Sequence, residues 1–193
     1  MILALAGRRI DPPDVSITRF PLENSAVVRE RIAVLMTATQ ATALVCSAAC
    51  GADLLALEAA HALALDCYIV LPFSEDRFRD TSVVDRPGEW GPIFDHAIER
   101  AEAMENLFIL DLPDADDASY LAVNRAILGQ ARVLARSNAQ PLEAVIVWDG
   151  QPRDATDITA AFGEEAKSLG IPLREISTLN EPSDKMTAWP QKS

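Results

Sequence analysis

The run Ala43–Glu58, ALVCSAACGADLLALE, decides how this chain folds. Ala43-Leu44-Val45-Cys46 is short and apolar, the pattern of a buried strand. Ser47-Ala48-Ala49-Cys50-Gly51 is a block of small residues suited to a tight turn. Ala52 and Asp53 then open a helix whose apolar positions are Leu54, Leu55, Leu57, Ala59 and Ala60. Strand, turn and helix in this order aim a helix N-terminus at the space beyond the strand, an arrangement that receives anions. Small side chains leave the backbone N–H groups uncovered, so a phosphate can approach closely. The alternative is a turn kept small for packing, with Asp53 a first-turn carboxylate that favours the helix dipole.

On either side the pattern repeats. Ile2–Ala6 is a first buried strand ending at Gly7, and Arg8–Glu23 is a proline-interrupted connection. Asn24 or Ser25 caps a helix through about Thr39. A third strand, Cys67–Leu71, stops at Pro72, and the polar segment Phe73–Gly91 has the length of a site wall or lid. Then follow a helix over about Pro92–Met104, a strand at Asn106–Leu110 and an acidic turn at Pro113–Asp117. A long helix covers about Ala118–Arg136, and Ala144–Trp148 is a strand that exits at Asp149-Gly150. The last helix runs from about Ala155 to Leu169, and Leu173–Ile176 is the sixth strand. Short apolar strands alternating with helices predict an α/β protein: a single Rossmann-like domain, a parallel sheet of about six strands with helices on both faces. Residues 1–176 form that domain, and 177–193 a polar C-terminal tail.

The 193 residues include 29 acidic and 17 basic side chains, a net charge of −12, which disfavours nucleic acid and anionic membranes as partners. No apolar run is long enough to span a bilayer and no signal peptide is visible, so a cytoplasmic protein is expected. Three cysteines, Cys46, Cys50 and Cys67, leave one unpaired in any disulfide scheme and read as reduced, buried thiols. Cys46 and Cys50 with only His61 and His96 elsewhere make no metal site.

In a doubly wound sheet ligands bind beyond the C-terminal ends of the strands. Three such ends carry the candidate site. At the first, Gly7 permits a sharp turn and Arg8 or Arg9 offers a cation for phosphate, against the alternative of two solvated arginines. Asp11 either binds a ribose hydroxyl or caps its own turn. At the second, Ser47, Gly51, Ala52 and Asp53 form the phosphate candidate. At the third, Trp148, Asp149 and Gly150 contact a base or ribose, or else Trp148 is core and Asp149-Gly150 a turn. Tyr120 and Asn124, four apart on the long helix, face either the ligand or a partner subunit. Trp90 is the better stacking candidate of Trp90 and Trp189, and the alanine-rich stretches Ala56–Ala64 and Ala126–Ala135 suit packing against another subunit. No Ser–His–Asp set can be assembled around His61 or His96.

The ordered set Ala6-Gly7-Arg8-Arg9-Ile10-Asp11, Ser47–Asp53 with Glu58, Val70–Phe73, Tyr120 with Asn124-Arg125, and Val147–Gly150 followed by Gly170-Ile171-Pro172 resembles the SLOG superfamily. These are Rossmann-like binders of nucleotide derivatives, related to the DNA-processing protein A family and the cytokinin-activating phosphoribohydrolases. The likeness spans about Ile2–Ile176. Ala48-Ala49-Cys50 stands where relatives carry a Gly-Gly turn, and Arg153-Asp154-Ala155-Thr156-Asp157 where they carry a Gly-Thr phosphate element. Thr156 retains a hydroxyl for a ligand, whereas Thr159 occupies the place of the phosphoribohydrolases' catalytic glutamate. The resemblance therefore implies a binder or sensor of a nucleotide-like small molecule of the ADP-ribose, NAD or nucleoside phosphate type, with no added cofactor. An N-glycosidic hydrolase or transferase is the alternative, with Asp11, Glu58, Asp85, Glu89 or Asp149 as its carboxylate and its catalytic residues unassigned. A protein-interaction module with a vestigial pocket is the third reading. A homodimer is expected on general grounds.

Overall fold

The computed structural model describes residues 1–113 and 115–180. Six strands form one all-parallel sheet: β1 (Ile2–Gly7), β2 (Ala43–Cys46), β3 (Asp66–Leu71), β4 (Leu107–Ile109), β5 (Leu142–Trp148) and β6 (Leu173–Ser177). Their spatial order is β4-β3-β2-β1-β5-β6. The chain thus builds outward from β1 to β4, returns across the sheet, and lays β5 on the other side of β1. The order reverses at β1 and β5, and a crevice opens there beyond their C-terminal ends.

Alternation along each strand sends side chains to opposite faces. Leu3 and Leu5 join Leu44, Cys46, Ile69 and Leu71 on the face covered by α1 (Ser25–Ala38), α2 (Ala52–Ala62) and α4 (Trp90–Ala103). Ile2 and Ala4 join Ala43, Val45 and Val70 on the face covered by α5 (Asp117–Ser137) and α6 (Ile158–Ser168). The expected Rossmann-like architecture is the one observed, with helices on both faces.

Four local differences bear on the site. The polar insertion contains a helix, α3 (Glu75–Ser82), because Phe78 is drawn into the core beside Phe73 and Phe94. Trp90 is also core, 4% exposed with its Nε1 donating to the Pro87 carbonyl, so it offers no ring face for stacking in the crevice. The alanines of α2 are spent inside the chain, Ala52, Ala56, Ala59 and Ala60 being buried, and so are Ala131 and Ala135 of α5. Finally, packing continues past Ile176: Thr178 is buried, its hydroxyl donates to the Arg19 carbonyl, and Asn24 Nδ2 donates to the Thr178 carbonyl at 2.9 Å. Trp189 and the rest of the tail beyond Asn180 lie outside the described residues.

The α2 turn is held by backbone proximity. Gly51 has φ of +94°, and a Cβ there would lie 2.8 Å from the Arg8 carbonyl oxygen and 2.9 Å from the Ile10 nitrogen. Gly7 is equally crowded, its notional Cβ falling 2.4 Å from Ala52 Cβ and 2.6 Å from the Val147 carbonyl oxygen. These two glycines let the β1 exit, the α2 turn and β5 meet.

Candidate functional site

A cavity of about 570 Å³ occupies the crevice at the C-terminal ends of the strands. The β1 exit supplies Gly7, Arg8, Arg9 and Ile10, and the following loop adds Asp11, Val15, Ile17 and Arg19. That loop is closed at its base by Asp11, whose Oδ2 accepts the N–H groups of Arg19 (2.8 Å) and Phe20 (2.9 Å). The α2 turn contributes Ser47, Ala49 and Asp53. The polar insertion contributes Phe78, Ser82 and Arg86, and so forms one wall of the cavity. Tyr120, Val123 and Asn124 reach it from α5; Arg153 comes from the β5–α6 loop, and Ile158 and Thr159 from the start of α6.

Five arginines (Arg8, Arg9, Arg19, Arg86 and Arg153) line this cavity against three aspartates, in a chain with a net charge of −12. Their roles differ. Arg8 is 3% exposed and wholly committed inside the protein. Its Nε donates to Asp149 (3.0 Å), its Nη1 to Asp157 (2.6 and 2.8 Å) and its Nη2 to the Gln151 carbonyl (2.6 Å), while its guanidinium lies 5.8 Å from the Trp148 ring centre. Arg19 shares Asp149 from the other side, and Arg153 approaches Asp157 at 3.4 Å. This network ties the β1 exit to the β5–α6 loop. Arg9 and Arg86 instead share Asp85, Arg86 only at 3.8 Å, and each keeps a buried Nε with no hydrogen-bond partner among the described residues.

Both helix N-termini nearest the β1 and β5 exits hold a carboxylate of their own. At α6, Asp157 accepts the N–H groups of Thr159 (2.9 Å), Ala160 (3.1 Å) and Arg153 (2.6 Å). Burial alone would raise its carboxyl; the Arg153 N–H, the Arg8 guanidinium and the Ala160 N–H outweigh burial and hold it below the usual range. At α2, Asp53 is 7% exposed, and its Oδ2 accepts the Ala49 N–H at 3.2 Å while Oδ1 has no partner among the described residues. Burial pushes this carboxyl up to about 7, against the opposing pull of the Ala49 N–H and of Arg9. The Cys50 N–H donates to the Ser82 carbonyl (3.0 Å) and the Ala52 N–H to the Arg8 carbonyl (3.1 Å), so these two backbone donors of the turn are spent on the fold.

Of the residues singled out from sequence, Gly7, Arg8, Arg9, Asp11, Ser47, Asp53 and Asn124 come together on the cavity wall. Gly51, Ala52, Asp149, Gly150 and Thr156 do not reach it. Gly51 and Ala52 are buried against the Arg8–Ile10 backbone, and Asp149 is held by Arg8 and Arg19. Gly150 is an exposed turn at φ +81°, and Thr156 is exposed with its hydroxyl donating to Asp154. Trp148 faces Glu175, to which its Nε1 donates at 2.9 Å, and lies off the wall as well. Tyr120 and Asn124 share the cavity-facing side of α5, their polar atoms meeting Ser82 Oγ (3.3 Å) and the Ile158 carbonyl (2.9 Å). Glu58 pairs with Arg29 at 4.0 Å and Glu89 is exposed; neither lines the cavity.

Sequence reasoning missed Arg19, Arg86 and Arg153. Each lies in a loop whose course depends on tertiary pairing, and only the concentration of arginine between strand ends hinted at them. The three thiols are buried and free, and burial pushes them up, Cys67 to about 12, which leaves them protonated and unreactive. No group of three or more His, Cys, Asp or Glu side chains among the described residues is placed to hold a metal. No helix among them is long and apolar enough to cross a membrane. Compared with known proteins, the chain matches no family model and no curated protein.

Proposed function

We propose that this chain binds or senses a nucleotide-derived small molecule in the cavity beyond β1 and β5, as the SLOG-like motif set implies. The observation that carries the reading is the arginine-lined cavity at the switch point. Its volume of about 570 Å³ suits a ligand of nucleotide size, and two of its arginines keep an unused buried donor. Apolar walls from Ile10, Phe78, Val123 and Ile158 suit the flat face of a base. The phosphate of this reading belongs on Arg86, with Arg19 and Arg153 beside it, because Asp157 occupies the α6 N-terminus and the carboxylate of Asp53 stands at that of α2. Ser47, Tyr120 and Asn124 supply neutral polar contacts. Cytoplasmic location and a homodimer complete the proposal; the acidic surface argues for a small ligand and against nucleic acid. Isothermal titration with ADP-ribose, NAD and AMP tests it: saturable binding of at least one is expected, and no heat or competition from any of them overturns it.

A second reading, cleavage of an N-glycosidic bond, is favoured by one observation. Asp53 lines the cavity and, lifted to about 7 by burial, titrates where a general acid or base works well. Release of free base from a nucleotide panel, abolished by Asp53→Asn, would favour the enzyme over the sensor.

A further inference from the structure

The inner end of the cavity holds two groups that the fold leaves without partners. Asp53 is more than nine-tenths buried, forms part of the cavity wall, and has one oxygen, Oδ1, that accepts nothing from the described residues. Arg9 lines the same cavity with a buried Nε that donates to nothing among them, while its Nη2 is taken by Asp85. The Cys50 thiol lies beside the Arg9 guanidinium but is a weak acceptor. A buried polar atom without a partner is costly to the fold. An orphan acceptor and an orphan donor on one wall therefore define the chemistry of what completes them.

A phosphate does not fit there. It offers acceptors to Arg9 and, once Asp53 is ionised, faces that carboxylate with like charge. An ammonium would satisfy Asp53 and oppose Arg9. Hydroxyl groups both donate and accept, so a pair of them on neighbouring carbons offers one donor and one acceptor to match the two orphans. We propose that Asp53 and Arg9 form an inner subsite for the vicinal hydroxyls of a sugar, one donating to Asp53 Oδ1 and the other accepting from Arg9 Nε. This rests on the nucleotide reading of the cavity and orients the ligand within it. Its ribose enters the α2 turn, where a phosphate would be expected in such a fold, and its phosphate lies at Arg86, whose own buried Nε awaits an acceptor.

The test is a set of titrations of the full chain with ADP-ribose, AMP and 2′,3′-dideoxy-AMP, on wild type and on Asp53→Ala. AMP is expected to bind wild type about tenfold or more tightly than its dideoxy analogue, a charged hydrogen bond having been lost. In Asp53→Ala that preference should shrink to the part carried by the hydroxyl on Arg9, since the other hydroxyl and the carboxylate act as a pair. Dideoxy-AMP binding wild type as tightly as AMP overturns the subsite while leaving the nucleotide reading in place. If only ADP-ribose binds, an affinity unchanged in Asp53→Ala overturns it equally. Binding of none of the probes overturns both. The analogue comparison is made on wild type, so it decides the matter even if the variant fails to fold.

Discussion

Replacing Asp53 by asparagine removes a buried carboxyl from the start of α2 while keeping an oxygen for the Ala49 N–H. Burial raises the folded-state carboxyl from 3.8 to about 7. Between those values the folded protein holds a proton that the unfolded chain has released, so wild-type stability falls as pH rises through this window. A rise of about three units at about 1.4 kcal/mol each gives a total near 4 kcal/mol, of which about 3 kcal/mol falls between about pH 5 and about pH 8. Asparagine does not titrate, so its curve lacks this term. Other titrating groups, including His61, which burial, Arg100 and His96 lower to about 4, act alike in both proteins and cancel in the difference. Urea denaturation of both proteins across this range is the assay. The variant is expected to gain about 3 kcal/mol on wild type from about pH 5 to about pH 8, or about 6–12 °C in Tm. A difference that stays constant with pH, or moves the other way, would refute the argument that burial governs this carboxyl.

Arg8→Ala leaves the buried carboxylates of Asp149 and Asp157 without their main partner, so a loss of about 3–5 kcal/mol in urea is expected. Gly51→Val drives a side chain into the Arg8 and Ile10 backbone at a φ that L-residues avoid; about 3 kcal/mol or more of destabilisation should follow, measured by the same method. Arg86→Ala breaks only a loose, partly exposed pair with Asp85, so stability should change by less than about 1 kcal/mol while nucleotide affinity, by titration, falls about tenfold.

The strands and their order of appearance were legible because each is a short apolar run bounded by glycine, proline or polar residues, and the place of the cavity followed from where such strands end. The α3 helix was not. Its residues Glu75–Ser82 are mostly polar, and only Phe78 anchors them, through contacts with rings distant in sequence. The candidate turn at Ser47–Asp53 lies at the cavity, but its surroundings are tertiary. Small residues there read as room for a phosphate, whereas the room is filled by the Arg8–Ile10 backbone and the carboxylate of Asp53. Arg8 was likewise placed correctly at the β1 exit. Its partners Asp149 and Asp157, more than 140 residues away, meet it only because β5 pairs with β1. That pairing, a property of strand order, also brings Arg153 to the wall, and no local pattern encodes it.

The most direct test of the whole account is native mass spectrometry of the full chain mixed with a pool of nucleotides and NAD derivatives. The account predicts an intact ligand retained at about one per subunit, carrying both ribose and phosphate, and displaced from the Arg86→Ala variant at the same concentration. A chain that retains nothing from the pool, or that retains the same species equally well without Arg86, would contradict it.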